Sequence, residues 1–241
     1  MRLGRLAVVA FVAAVLAPTA GGADAHIAAS FPAAGEALRP LTVRTSPHTS
    51  ARVVRTLSRF RRDGQFRVVL ALAARRGPDG AWWYLLSLPG RPNGARGWVP
   101  AEGVDVRPAR NRITVQVDER RIEVRRIRDG ALLLEGTVAV GRAGAETPRG
   151  RAFYVQSAFV PTDPFYGPFA LETSAYSRLT DWPDHGIVGI HGTNRPELLG
   201  QAARDVVRDA DASVRDRLPE KLRTVRPVDA DDAVVGPVRQ P

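Results

Sequence analysis

Short apolar runs separated by turn residues dominate the first half of the chain. The runs lie at residues 41–44, 52–57, 66–71, 82–88 and 98–99. Between them stand Pro, Gly, Asn and Asp, residues that favour tight turns. Strands this short at such regular spacing predict a small β-barrel. The Ala- and Pro-rich residues 26–40 predict only a lead-in, and residues 107–110 predict a linker to the second half of the chain.

A second β-rich region comes after this linker. Apolar residues alternate with polar ones over 113–117 and again over 122–127, on either side of a polar turn at 118–121. Alternation with a period of two is typical of a half-buried hairpin. A further apolar run covers 132–140, after an Asp-Gly turn. The pattern predicts a mainly β protein, in which a small barrel precedes a β-rich domain with a minor helical part.

The first 25 residues have a different pattern. Two arginines stand within residues 1–5, an uninterrupted apolar run covers 6–17, and Ala-Asp-Ala occupies 23–25. This layout is typical of a secretory signal peptide, and the apolar run is short for a bilayer span. An uncleaved membrane anchor is the alternative, whereas the lack of cysteine excludes a lipoprotein anchor. We therefore expect export to the periplasm, or to the cell wall and extracellular space, with no stable membrane span after cleavage.

The net charge and the absence of cysteine exclude some classes of function and make others unexpected. The formal net charge is +10, and every basic residue except Lys221 is an arginine. Basic proteins favour anionic surroundings, but export makes nucleic acid an unexpected partner. The chain has no cysteine, which removes disulfides, thiolate metal sites and a cysteine nucleophile.

Three segments of the first half stand out: Leu-Thr-Val-Arg-Thr-Ser-Pro at 41–47, Trp-Trp-Tyr at 82–84 and Gly-Trp-Val-Pro at 97–100. Through these segments, in this order, residues 38–107 resemble a bacterial SH3-like domain. Because aromatic rings supply much of the apolar area that so small a barrel can bury, we expect these rings to lie in the core. The resemblance also implies binding to cell-wall peptides, which would instead use the rings as a ligand platform.

The residues able to carry chemistry lie between 141 and 200. An aromatic loop rich in Pro and Gly, at 164–169, has the composition of a groove cover. His191 stands at the end of an apolar strand and is followed by Gly192 and Thr193. Tyr176 either lines the same groove or packs in the core.

In this order, the segments resemble the L,D-transpeptidase (YkuD-type) catalytic domain. The resemblance covers about 111–203 and rests on the opening hairpin, Ala-Val-Gly at 139–141, Thr-Pro-Arg-Gly at 147–150, Gly-Pro at 167–168 and Ile-His-Gly-Thr at 190–193. We expect this domain to extend to about residue 228. The resemblance implies action on peptidoglycan stem peptides outside the membrane, by acyl transfer through a cysteine thioester and without a cofactor.

The same resemblance assigns the candidate site. His191 corresponds to the family's first histidine, which precedes the Ser/Thr-His-Gly-Cys motif in sequence. There it would organise the pocket or its protonation state, and it would not act as the usual base. Gly192, Thr193 and Tyr176 are the candidate substrate-binding residues. No metal site is expected.

The chain departs from the family at the nucleophile. The family's Ser/Thr-His-Gly-Cys would fall near 204–207, where this chain has Arg-Asp-Val-Val, and no histidine follows His191. Loss of the nucleophile costs on the order of a million-fold in turnover in a hydrolase, so we expect no transpeptidase activity. Two origins fit: a disrupted reading frame or small deletion just after Ala203, or a pseudoenzyme that kept its groove for binding. The charged segment 202–222 would pack badly as a helix.

Several other assignments are open. One hypothesis is that His191 is a purely structural histidine at the end of a strand. Another is that His191, Asp181, Asp184 and His185 form the zinc site of a wall hydrolase. A serine triad on Ser174 or Ser177 lacks the glycine pattern of a nucleophile elbow. The arginines between 120 and 128 suit a solvated hairpin face or contact with an anionic wall polymer. The leading alternative function is a non-catalytic peptidoglycan-binding module.

Overall fold

The computed structural model describes residues 27–149, 152–179, 186–200, 202–203 and 233–235. Its strands form two seven-stranded sheets and one two-stranded pair. Helical structure in the described part consists of one-turn 3-10 segments at Ala101–Gly103, Pro164–Tyr166 and Pro196–Leu198. The prediction of a mainly β protein is confirmed.

The first sheet is antiparallel throughout and has the spatial order β3-β2-β6-β5-β4-β1-β7. Its strands are β1 (Ala33–Ala37), β2 (Leu41–Arg44), β3 (Val53–Leu57), β4 (Val68–Arg76), β5 (Trp82–Ser87), β6 (Arg96–Pro100) and β7 (Val104–Pro108). Strands β2 to β6 overlap the five apolar runs of the sequence. The likeness to an SH3-like barrel stays a prediction.

Strand β1 was missed, because the residues 26–40 were expected to form only a lead-in. It lies between β4 and β7, with Ala33, Ala34 and Ala37 buried. A Cβ on Gly35 would stand 1.8 Å from the carbonyl oxygen of Asp105, so the close approach of the two strands requires glycine. Small side chains give a weak hydrophobic signal, which is why the sequence pattern did not reveal this interior strand, the second from the edge of the sheet.

The predicted linker is also part of the folded unit. Strand β7 runs to Pro108, and the Ala109 N–H donates to the Pro32 carbonyl at 2.9 Å. Only residues 109 and 110 separate β7 from the first strand of the second sheet. The connection therefore leaves little freedom between the two sheets.

The first core contains the expected aromatic residues in part. Tyr84 is fully buried among aliphatic side chains such as Leu86 and Val99. Trp83 is fully buried as well, whereas Trp82 and Trp98 are half-buried. The expectation of a core position is confirmed for Trp83 and Tyr84.

The second sheet has the spatial order β10-β9-β8-β16-β12-β13-β14. Its strands are β8 (Asn111–Gln116), β9 (Arg121–Arg126), β10 (Leu132–Thr137), β12 (Phe153–Phe159), β13 (Ala170–Tyr176), β14 (Ile187–His191) and β16 (Ala233–Val235). Strand β16 is parallel to β8 and antiparallel to β12, so residues beyond 228 lie inside this sheet. A parallel pair joins β11 (Val140–Gly141) to β15 (Ala202–Ala203).

Two apolar groupings hold the second sheet in place. Its own core includes Ile113, Phe153, Val188 and Ile190. A smaller cluster joins the sheets, since Tyr154 of β12 packs with residues of β1 and β4 and with Ala109. The outer face of β12 therefore meets the first sheet.

Candidate functional site

Strand β14 delivers His191 to the outer face of the second sheet. In β14, Val188 and Ile190 point into the core. Because side chains alternate along a strand, Gly189 and His191 point to the opposite face. His191 pairs with Ala170 of β13 and is 5% exposed. The candidate histidine is therefore held on a paired strand and covered from solvent.

The His191 ring has a defined hydrogen-bonding arrangement. Its Nδ1 lies 2.6 Å from the carbonyl oxygen of Gly192. A carbonyl oxygen only accepts, so Nδ1 carries the proton, and in the neutral ring the lone pair resides on Nε2. In this tautomer, Nε2 is the nitrogen able to accept a proton.

The aromatic loop covers His191. Asp163 caps the 3-10 segment Pro164–Tyr166 by accepting from the Phe165 N–H at 2.9 Å. The Tyr166 ring meets the His191 ring edge-to-face, with centroids 4.9 Å apart, and Phe165 stacks in the same manner on Tyr166 at 5.3 Å. Tyr166 is 37% exposed, so its ring separates the imidazole from solvent while remaining accessible to a ligand.

Two glycines allow this loop to pack on the residues after His191. A Cβ on Gly167 would lie 2.6 Å from the Gly192 carbonyl carbon and from the Thr193 nitrogen. A Cβ on Gly192 would lie 2.6 Å from Cδ of Pro168, and the Gly192 N–H donates to the Phe169 carbonyl at 3.0 Å. The Gly-Pro and His-Gly-Thr segments of the sequence therefore form one packed unit, backbone against backbone.

The structure brings His191, Gly192 and Thr193 together and leaves Tyr176 elsewhere. Thr193 Oγ1 accepts from the Arg195 N–H at 2.9 Å and so shapes the following turn. Tyr176 pairs with Ile187, at the far end of the β13–β14 hairpin from His191. At about 3.3 Å per residue, the six positions from Ala170 to Tyr176 correspond to roughly 20 Å. The roles of these residues toward a substrate stay predictions.

Tyr176 contacts the first sheet's 90–94 loop instead. Its N–H donates to Asn93 Oδ1 at 2.9 Å, and its carbonyl accepts from Asn93 Nδ2 at 2.7 Å. The Arg91 guanidinium lies 5.2 Å from the Tyr176 ring centroid and donates to the carbonyls of Ser177 and Leu179. The tyrosine that the structure places at His191 is Tyr166. Its position in the aromatic loop 164–169, which the sequence had indicated as a groove cover, could have identified it.

Sequence reasoning also missed Glu172 and Arg61. Glu172 pairs with Gly189 across the hairpin, so its side chain shares the His191 face. Arg61, from the β3–β4 connection of the first sheet, forms an ion pair with Glu172 and a second one with Asp63 at 3.1 Å. A connection of the first sheet thus reaches the same face of the second sheet that carries His191.

The loop from 141 to 149 is built by hydrogen bonds. The Gly141 N–H donates to Thr147 Oγ1 at 2.9 Å. Arg149 makes two bonds of 2.6 Å to the Asp118 carboxylate, and these bonds hold the pKa of Asp118 below its usual range. Strand β15 lies beside Val140–Gly141, and the expected place of the family's nucleophile motif, 204–207, comes after it, outside the described residues.

Neither serine proposed for a triad faces His191. Ser174 is buried and its Oγ accepts from the Tyr154 N–H at 3.1 Å, while Ser177 Oγ accepts from the Leu179 N–H at 3.2 Å. Asp181, Asp184 and His185 lie outside the described residues. Within the described ranges there is no group of three His, Cys, Asp or Glu side chains suited to a metal ion.

The basic hairpin of the second sheet is neutralised locally. Arg121, Arg125, Arg126 and Arg128 each form an ion pair with an acidic residue of β9, β10 or the turn between them. These pairs fit the solvated-face interpretation of the sequence. No helix in the described part of the chain has the length and apolar character needed to cross a bilayer.

Comparison with known proteins finds one family match, in the part of the chain that forms the second sheet. Residues 110–213 match the family model of the L,D-transpeptidase catalytic domain, YkuD. The resemblance inferred from the sequence is confirmed over this range. No curated protein matches the chain.

Three solved structures that are similar to the chain illustrate the comparison, and each has low sequence identity to it. L,D-transpeptidase 3 from Mycobacterium tuberculosis in complex with a faropenem-derived adduct is 12% identical over 70% of this chain and 91% of that one, with a TM-score of 0.41. An L,D-transpeptidase from Mycobacterium smegmatis is 13% identical over 71% and 91%, with a TM-score of 0.38. Bd1075 from Bdellovibrio bacteriovorus is 17% identical over 54% of this chain, with a TM-score of 0.37, and the chain spans only 48% of its length.

Proposed function

We propose that this chain is an exported, wall-associated L,D-transpeptidase-like protein that has lost acyl-transfer activity. One observation carries the proposal: the packed unit around His191 is present, yet the chain contains no cysteine. The family reaction requires a thiolate nucleophile, and loss of such a nucleophile removes on the order of a million-fold in turnover. The signal-like pattern of residues 1–25 supports export.

The geometry around His191 supports retained binding of a peptidoglycan stem peptide. Tyr166 offers an accessible aromatic edge, and the backbone beside Gly192 is fixed by the Gly167 contact. A peptide brought to this face would meet an apolar ring, an imidazole and an ordered backbone, the mixture typical of small-ligand sites. Phe159 and Val160, which are exposed next to this loop, would extend the apolar contact.

Co-sedimentation with purified cell-wall sacculi tests binding. The full chain is expected to sediment, and Tyr166→Ala is expected to reduce the bound fraction several-fold. Val54→Ala, which alters a comparably exposed side chain on β3, serves as the matched control and is expected to bind as the parent does. Failure of the parent chain to sediment, or equal loss in both variants, would remove the binding part of the proposal.

A second candidate function is a purely non-catalytic binding module in which the first domain also holds wall peptides. The observation favouring it is an exposed aromatic pair on the first domain: Phe60 and Phe66 lie 5.1 Å apart, with the Arg59 guanidinium over both rings. Phe66→Ala separates the two functions. Loss of sedimentation in this variant favours the two-domain module, and unchanged sedimentation confines binding to the His191 face.

The origin of the missing motif has a direct test. Resequencing the DNA of codons 200–210 is expected to return the present reading frame if the protein is a true pseudoenzyme. A correction of one or two bases that produces Ser-His-Gly-Cys would overturn the proposed loss of activity.

A further inference from the structure

The β3–β4 connection is a hairpin that carries an exposed aromatic pair. Phe60 and Phe66 form an antiparallel bridge across it, and the Arg61 N–H donates to the Gln65 carbonyl at 2.8 Å. Because this hydrogen bond joins the residues just inside the bridge, Phe60 and Phe66 are a non-hydrogen-bonded pair, in which opposite side chains lie closest. The end of the hairpin is exposed, and a Cβ on Gly64 would meet nothing within 4 Å. The aromatic pair therefore lies near a hairpin end that projects into solvent.

Leu38 extends the aromatic pair into a row across three chain segments. Strands β1 and β4 pair in register, and the Ala37 N–H continues that register by donating to the Arg67 carbonyl at 3.0 Å. The next position along this register places Leu38 opposite Phe66, and directly opposite residues share one face of a sheet. We call Leu38, Phe66 and Phe60 the apolar row; they are 49%, 40% and 45% exposed. Exposed apolar residues normally occur singly, so a contiguous row is typical of an interaction surface.

The Arg59 guanidinium lies over the aromatic end of the apolar row. Its central carbon is 5.2 Å from the Phe60 ring centroid and 5.1 Å from the Phe66 ring centroid, and the two ring centroids are themselves 5.1 Å apart. One cation therefore contacts two rings, a favourable cation–π arrangement. Stacking uses the flat face of a guanidinium and leaves its N–H donors, which lie in its plane, to other partners. The apolar row is thus bordered by a cation that is able to donate to an anion.

The hairpin as a whole is positively charged. Residues 58–67 contain four arginines and one aspartate. Arg61 forms an ion pair with Glu172 of the second sheet, and Glu36 of β1 interacts electrostatically with Arg59; with both carboxylates counted, the surplus remains positive. The chain carries a formal net charge of +10. An anionic surface would therefore attract the molecule and would find cations beside the apolar row.

A lipid surface fits this combination better than a glycan does. Leucine and phenylalanine side chains have no hydrogen-bonding group for the hydroxyls of a glycan, whereas the boundary between headgroups and acyl chains accepts apolar side chains, and anionic headgroups attract arginine.

We propose that the apolar row docks this protein peripherally on an anionic lipid surface. The side chains of Leu38, Phe66 and Phe60 would enter the boundary between headgroups and acyl chains, and Arg59 would donate to headgroup phosphates. This docking does not depend on the proposed stem-peptide function, and it assigns the aromatic pair a different partner from the wall peptides of the second candidate function.

The lack of cysteine allows a direct test, because a single introduced thiol can be labelled with an environment-sensitive fluorophore. Leu38→Cys places the label in the apolar row. Leu132→Cys is the matched control, since Leu132 is 43% exposed on β10 of the second sheet. With vesicles of equal parts phosphatidylcholine and phosphatidylglycerol, we expect a blue shift of the label emission at position 38 and none at position 132. Vesicles of phosphatidylcholine alone, or high salt, should reduce the shift because they remove or screen the anionic charge.

Co-sedimentation of the full chain with the same vesicles tests the rings and the cation. Phe66→Ala and Arg59→Gln are each expected to reduce the bound fraction several-fold, and Leu132→Ala is expected to leave it unchanged. The apolar run within residues 1–25 is present in every variant, so a difference between variants measures the apolar row and not that run.

Equal emission shifts at positions 38 and 132, or equal bound fractions for Phe66→Ala and Leu132→Ala, would overturn the lipid surface. Loss of Phe66→Ala binding on sacculi, with unchanged binding on anionic vesicles, would also overturn it and would identify a wall polymer as the partner. Circular dichroism verifies that each variant keeps its fold, and the label at position 38 tests the row without altering either ring.

Discussion

Replacement of Gly167 tests whether the aromatic loop and the residues after His191 form one packed unit. Gly167 has φ +66° and ψ −157°, a region that is essentially restricted to glycine. Forcing alanine into it costs about 1–3 kcal/mol. The added Cβ would also press on the Gly192–Thr193 peptide at 2.6 Å, and displacing packed atoms costs about 1–3 kcal/mol more. We predict that Gly167→Ala lowers the free energy of unfolding by both costs together, about 2–6 kcal/mol.

The matched control is Gly130→Ala. Gly130 also has a positive φ, +71°, but a Cβ there would meet nothing within 4 Å. Its expected cost is about 1–2 kcal/mol, from the backbone alone. Urea unfolding measures both values, and the NMR shifts of the His191 ring report whether Tyr166 still stacks on it. Equal destabilisation in the two variants, with the His191 shifts unchanged in Gly167→Ala, would refute the packed unit.

Two further predictions concern contacts away from the ring stack. Asn93→Ala removes both hydrogen bonds to the Tyr176 backbone and should cost about 1–3 kcal/mol in urea unfolding. Asn194→Ala, at an exposed position, should cost almost nothing, and similar costs in the two variants would contradict a stabilising role for the Asn93 hydrogen bonds. The hydrogen bonds from Arg149 lower the pKa of Asp118 in the folded protein. They therefore stabilise the fold fully at pH values above the unfolded-state pKa of Asp118, near 4. This stabilisation is lost as the pH falls through the lower folded-state pKa. Asp118→Asn should therefore flatten the acid limb of the stability curve between pH 5 and 2, and an unchanged limb would contradict the assignment.

Local patterns predicted the parts of the fold that depend on local chemistry. Alternating and apolar runs located β2 to β6 and the β8–β9 hairpin, because a strand's side-chain period is visible in the sequence. The glycines at 167 and 192 stood in the segments that carried the family resemblance, and the structure explains them by close backbone contact.

The remaining features depend on contacts between distant residues. Strand β1 was hidden by its alanines, and β16 is placed by pairing with β8 and β12, far away in sequence. The Arg61–Glu172 pair joins residues 111 positions apart, and no local pattern announces such a partner. Tyr176 was assigned to the groove on proximity in sequence, whereas strand β13 carries it to the other end of the hairpin from His191.

Intact-mass spectrometry after carbapenem treatment tests the loss of acyl transfer most directly. The family resemblance implies that an L,D-transpeptidase with its cysteine forms a covalent adduct, and such an enzyme serves as the positive control. We expect the full chain to keep its unmodified mass under conditions that label the control completely. A stoichiometric adduct on this chain would contradict the account, because it would demonstrate a working nucleophile in a protein without cysteine.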